Sequence, residues 1–87
     1  MKTEEPYYDE NGKQIKEFAV IRVFHFIGAR RKKHYMYKWV RLKEFKGQLY
    51  WVAYHLSDDD NHSYYHLRSY ADENRVLKGA VIVQQYD

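Results

Sequence analysis

Aromatic rings and cations alternate along one side of residues 35–43. Tyr35, Tyr37 and Trp39 run on into Arg41 and Lys43, each two positions from the next, which in an extended chain puts all five on one face. Bases stack on exposed Tyr, Trp and Phe rings while Lys and Arg follow the phosphates, so a single-strand-binding platform needs this interleaving. Tyr, Trp and Arg are equally the residues that dominate protein–protein hot spots. Arg22 upstream and Tyr50 and Tyr54 downstream fall on the same candidate face. Between them lies the run Arg30-Arg31-Lys32-Lys33-His34, which would project from a loop tip. There it would grip phosphates with salt-dependent affinity or lie against an acidic protein surface. The candidate binding set is therefore Arg22, Arg30, Arg31, Lys32, Lys33, Tyr35, Tyr37, Trp39, Arg41, Lys43, Tyr50 and Tyr54.

Two other chemistries have weaker spacing behind them. His62-x3-His66, preceded by Asp58-Asp59-Asp60, has the i, i+4 spacing of zinc ligands on a helix. The flanking residues favour a loop and a strand, and no third imidazole is near, so no metal is assigned. His55, His66, Arg68 and Tyr64 are the residue types that a small ribonuclease uses as base, acid and phosphate clamp. No spacing among them is diagnostic. No catalytic residue and no cofactor is assigned, and the chain reads as a non-enzyme.

The charge is concentrated. Residues 17–56 carry nine Lys/Arg against two acids, about +7, while the flanks are acidic and the whole chain is only +3. Such asymmetry bears on what a chain touches more than on how it folds. Sixteen of the 87 residues are aromatic, ten of them Tyr, which supply burial that Leu usually provides and suit half-exposed surfaces as well. The length fits a single domain, residues 1–87. The absence of cysteine fits a reducing, cytoplasmic setting. Residues 1–6 hold no apolar core of a signal peptide, and residues 18–27, interrupted by Arg22 and His25, are too short to span a bilayer. The expectation is a soluble protein without a membrane partner.

The elements that must position these residues follow from periodicity. Asn11-Gly12 is a strong turn signal, so residues 1–16 read as a flexible arm or a short hairpin. Residues 17–26 alternate as a strand, His34 to Lys43 as a second, and Gln48 to Leu56 as a third, with Lys46-Gly47 as a tight turn. These three form an antiparallel meander over residues 17–56. Residues 63–68 read as a further strand. Ser69-x-x-Asp72 resembles a capping box that opens a short helix over 70–77, stopped by Lys78-Gly79. Residues 80–86 make the last strand. The fold class expected is α+β, an antiparallel sheet of four or five strands with one short helix near 70–77; the alternative is a small, mostly-β barrel. Ile21/Val23, Val40/Leu42 and Trp51/Ala53, with Val81/Val83, are the core candidates, although one bulge would exchange the two faces.

The general character resembles the small early proteins of bacteriophages, which are short, cysteine-free and tyrosine-rich with one compact sheet. That resemblance implies an inhibitor or adaptor and carries no site residues. The functional expectation is a binding protein that engages a protein or a nucleic-acid-processing complex through its basic aromatic sheet face. The alternatives are a single-stranded nucleic-acid-binding domain and a small ribonuclease. The last strand, rich in Val and Ile and without edge protection, also predicts a homodimer.

Overall fold

The computed structural model describes residues 2–55 and 64–85, with the backbone alone for Phe26. Leu56, Asp58, Asp59, Asp60, His62 and Tyr86, which figure in the sequence reading, lie outside the described residues. Among the described residues there are six strands: β1 (Lys2–Thr3), β2 (Val20–Ile27), β3 (Lys33–Phe45), β4 (Gln48–His55), β5 (Tyr64–His66) and β6 (Ala80–Gln84). They form one sheet in the order β1-β4-β3-β2-β6, with β5 also paired to β4. The β1–β4 pair is parallel and the others are antiparallel. The sheet is therefore mixed and curls into a half-barrel. Two 3-10 turns, at Ala29–Arg31 and Leu67–Ser69, are the helical segments among the described residues.

The meander follows from local chemistry. Residues of β3 alternate between a core side (Lys38, Val40, Leu42) and an outer side (Tyr37, Trp39, Arg41), and β4 answers with Trp51 and Ala53 against Val52 and Tyr54. The β3–β4 connection is the two-residue turn Lys46-Gly47, with φ of 48° and 79°. Positive φ at both positions matches the right-handed twist of the paired strands. The β2–β3 register shifts between Phe24 and Phe26, a bulge at His25.

Residues 7–15 form a hairpin-like turn built into the core. Tyr8 bridges Gln14, Gly12 turns at φ 82°, and Tyr7 and Ile15 are buried. The turn is organised by Asp9, whose carboxylate accepts backbone N–H groups from Asn11 at 3.0 Å, Lys13 at 2.8 Å and, across to β6, Ile82 at 3.2 Å. A second loop repeats this arrangement. Asp72 accepts N–H from Asn74 at 2.8 Å and Val76 at 3.0 Å, and the residue equivalent to Gly12 is Arg75, at φ 64°. Both loops read Asp-Glu-Asn in sequence, and they lie side by side, joined by hydrogen bonds from Tyr8 N–H to Arg75 and from Leu77 N–H to Tyr8.

This second loop replaces the helix expected over 70–77. The Asp72 carboxylate holds N–H groups two and four residues ahead of it instead of capping a helix, and Arg75 sits in a left-handed conformation that no α-helix accommodates. The fold is thus not α+β, nor is its sheet purely antiparallel; it is mostly β, open on one side instead of closed into a barrel. The core lies on the concave side and includes Ile15, Ile21, Val40, Trp51, Ala53, Leu67, Leu77 and Ala80, with Val23, Leu42 and Ile82 packed against it. In the last strand the core residues are Ala80 and Ile82, not Val81 and Val83, because they pair directly with the core-side residues Val23 and Ile21, while Val81 lies opposite the outer-side Arg22. Val83 is 48% exposed.

Candidate binding face

Cross-strand register assembles the outer face row by row. Phe24 pairs with Tyr35 and Arg22 with Tyr37. Trp39 stands between Val20 and Tyr54, with Tyr64 beyond; Arg41 pairs with Val52 and then His66; Lys43 pairs with Tyr50. Arg22, Tyr35, Tyr37, Trp39, Arg41, Lys43, Tyr50 and Tyr54 therefore share one surface. Directly opposed residues in a sheet point to the same side, so this grouping is a consequence of the pairing itself.

The cations do not stand free in solvent. The Arg22 guanidinium lies over the Tyr35 ring at 4.5 Å, Arg41 over Trp39 at 4.8 Å and over Phe18 at 4.9 Å, and Lys43 over Tyr64 at 4.9 Å. Stacked in this way, each charge meets the negative face of a ring and keeps its stem along apolar surface. Nε of Arg22 is buried without a hydrogen bond, which agrees with a guanidinium held by its ring. Nε of Arg41 also lacks a hydrogen bond and lies 3.6 Å from a carboxylate oxygen of Glu17. Glu17 accepts the Leu42 N–H as well, so one acid anchors both the strand and its cation.

Phe18 belongs to this face and was missed by the sequence reading, which placed it inside the first strand. It occupies a corner before β2 at φ 71°, with its N–H bonded to Val40 at 2.7 Å and its ring 6.0 Å from Trp39. A bulky aromatic at positive φ is strained. No local signal announces such a corner; the clue available was Phe18 next to Glu17, two residues that reach Arg41 together.

The basic run is split from the face by the bulge. Arg30 and Arg31 form the β2–β3 connection with φ of 59° and 57°, and Arg30, Arg31, Lys32 and Lys33 are all exposed. They form an exposed cationic tip at the end of the β2–β3 pair, beyond Phe24 and Tyr35.

Comparison with protein-family models, curated proteins and solved structures gives no match. The site is therefore read from its geometry.

That geometry is unfavourable to the nuclease set. His66 pairs with Val52 on the outer face, whereas His55, three positions along β4, points to the other side, so the sheet separates the two imidazoles. His66 packs among Tyr50, Phe45 and Tyr64 at 5.7 to 6.4 Å between rings, and its Nδ1 is buried without a hydrogen bond. Among the described residues no three His, Asp or Glu side chains group to hold a metal ion. No helix among them is long and apolar enough to cross a membrane.

Proposed function

We propose that the protein is a non-catalytic binding module that docks an acidic protein surface on its outer sheet face, centred on Tyr37 and Trp39. The observation that supports this most is the state of that face between β2 and β3. Phe24, Tyr35 and Tyr37 are exposed, Tyr37 by 46%, and they stand beside Arg22 and Arg41, cations already ordered on neighbouring rings. An interface that needs little further side-chain ordering keeps more of its contact energy as affinity, and aromatic and Arg anchors are the usual hot-spot residues. The surrounding charge is positive, from Arg22, Arg41 and the tip at 30–33, which suits a partner rich in Asp and Glu. Recovery of such a partner by the wild type and its loss with the Tyr37→Ala/Trp39→Ala double variant, with unchanged circular dichroism, is the expected result. Equal recovery by both would remove this face from the interface.

The exposed cations at 30–33 favour a second reading, in which the same face holds single-stranded nucleic acid. Ring faces covered by Arg22 and Arg41 are closed to base stacking, which ranks it below the first. Its signature is an affinity that falls linearly in log–log terms with salt, with a slope that flattens when Arg30, Arg31, Lys32 and Lys33 are replaced. Absence of any mobility shift of DNA or RNA at low salt excludes it. In either case the exposed Val83 side chain of β6 serves as the contact for a second copy of the chain, since the Ile82 N–H and the Ala80 carbonyl are already held by Asp9 and Glu10; sedimentation giving a mass of 10.7 kDa would show a monomer instead.

A further inference from the structure

The concave side of the sheet holds a feature that the outer face does not use. Residues 67–79 cover the core with a 3-10 turn and the Asp72 loop, and they leave a cavity of about 330 Å³ between themselves and strands β2 to β4. This is within the range of small-molecule sites. Its walls are largely apolar, with Ile21, Val23, Met36, Leu67 and Leu77 among them. Among the described residues of the lining, Lys38, Lys78 and His25 carry basic groups, and no Asp or Glu contributes.

Lys38 is the unusual member. It is 7% exposed, in a row of β3 that otherwise supplies Val40 and Leu42 to the core. Its ammonium lies 3.9 Å from the centre of the Tyr65 ring, and no carboxylate among the described residues pairs with it. Burial pushes its pKa below the ordinary lysine value. A buried cation whose partner among the described residues is a ring face is expensive to maintain, and an anion brought into the same cavity would offset that penalty. Tyr65 and Tyr70, stacked edge to face at 5.9 Å and both about half exposed, frame the mouth with Lys78.

We propose that this cavity binds a small apolar anion, an aryl- or alkyl-carboxylate, with the Lys38 ammonium as its counter-ion and the apolar walls around its hydrocarbon part. The site lies across the sheet from Tyr37 and Trp39, touches the docking face only at Phe24 among the described residues, and does not depend on the docking function proposed for that face.

The test compares 4-phenylbutyrate with its neutral analogue 4-phenylbutanol by calorimetry and by amide chemical-shift mapping. The carboxylate should bind at least tenfold more tightly than the alcohol, shifting amides of Lys38, Leu67 and Leu77. It should also raise the titration midpoint of the Lys38 Nζ resonance, which the alcohol should leave unmoved. Lys38→Met keeps the stem and removes the charge, so it should bring the two affinities together, whereas Tyr37→Ala/Trp39→Ala should leave the preference intact. Equal affinity for acid and alcohol in the wild type overturns the proposal. So do millimolar additions without shifts at the cavity, or shifts confined to residues 30–33. Because these readouts use the wild type, they decide the matter even if Lys38→Met fails to fold.

Discussion

The two halves of the outer face have nearly the same composition and opposite fates. Over β4 and β5, Tyr50, Tyr54, Tyr64 and His66 are half-buried and pack ring against ring at 5.7 to 5.9 Å, above a Val52 side chain that is 0% exposed, while Phe45 at the end of β3 caps the group and stays exposed. Over β2 and β3, Phe24, Tyr35 and Tyr37 stay exposed. The difference is one three-residue strand. β5 pairs with β4 at Val52, Ala53 and Tyr54 and brings Tyr64 and His66 onto the face, turning one half into a second small core. The other half has β6 as its neighbour, which offers Val81 and Val83 and no ring. An aromatic residue on a sheet thus becomes core or platform according to the neighbouring strand, not according to its own type.

Breaking the closed half should have the largest effect. Val52→Asp buries a carboxylate under the ring cluster, beside an Arg41 already held by Glu17, and should cost roughly 3–5 kcal/mol, read as a shift in the denaturant midpoint. A loss under 1 kcal/mol would mean that this half is not a core.

Alkaline pH sets a scale for tyrosine burial. The Tyr7 hydroxyl is pushed up to about 12, first by burial and then by its hydrogen bond to the Glu4 carboxylate. A raised folded-state pKa means that this contribution is complete below about pH 10 and is lost as pH rises from about 10 to 12, by roughly 2–3 kcal/mol. Denaturation curves across that window should show the decline, and Tyr7→Phe should flatten it.

Tyr50→Ala removes contacts with Phe45 and His66 and should cost about 1–3 kcal/mol. On the concave side Lys38→Met should act in the opposite direction, stabilising the fold by about 1 kcal/mol at neutral pH because a poorly compensated buried charge is gone. Melting temperatures check both. Tyr37→Ala, on the open half, should change stability by less than about 0.5 kcal/mol while weakening partner capture. A stability loss as large as that of Tyr50→Ala would erase the distinction between the halves.

How much of this was legible follows the range of each interaction. The meander and the Lys46-Gly47 turn rest on alternation and on a two-residue φ requirement, both local, and they could be read directly. The shared face of Arg22, Tyr35, Tyr37, Trp39, Arg41, Lys43, Tyr50 and Tyr54 is the same alternation carried across the pairing. Burial within that face was not legible, since it depends on where β5 docks. The helix over 70–77 was misread because an Asp three residues after Ser69 suits a capping box as well as an Asp-centred turn. The recurrence of Asp-Glu-Asn at 9–11 and 72–74 was the available signal, for at 9–11 an Asn-Gly turn had already identified it. The phase of β6 depends on which of its residues meet Ile21 and Val23 across the pairing, a long-range choice that alternation within Ala80–Gln84 leaves open.

The fastening of residues 2–9 has a consequence for synthesis. Glu4 donates its N–H to Leu49 and accepts both nitrogens of Trp51 through its side chain and carbonyl, while Arg75 bonds the carbonyls of Glu5 and Pro6. On a ribosome these residues emerge well before the partners that hold them. At roughly 5–20 residues per second, several seconds separate Glu4 from Arg75. During that interval the meander and β1, whose partner is β4, can already pair, whereas residues 5–10 must wait for Arg75, Leu77, Ala80 and Ile82. Closure of the domain is therefore a late event timed by residues 75–82, and a pause placed late in the message would lengthen the life of a half-built sheet whose β2 edge still lacks β6.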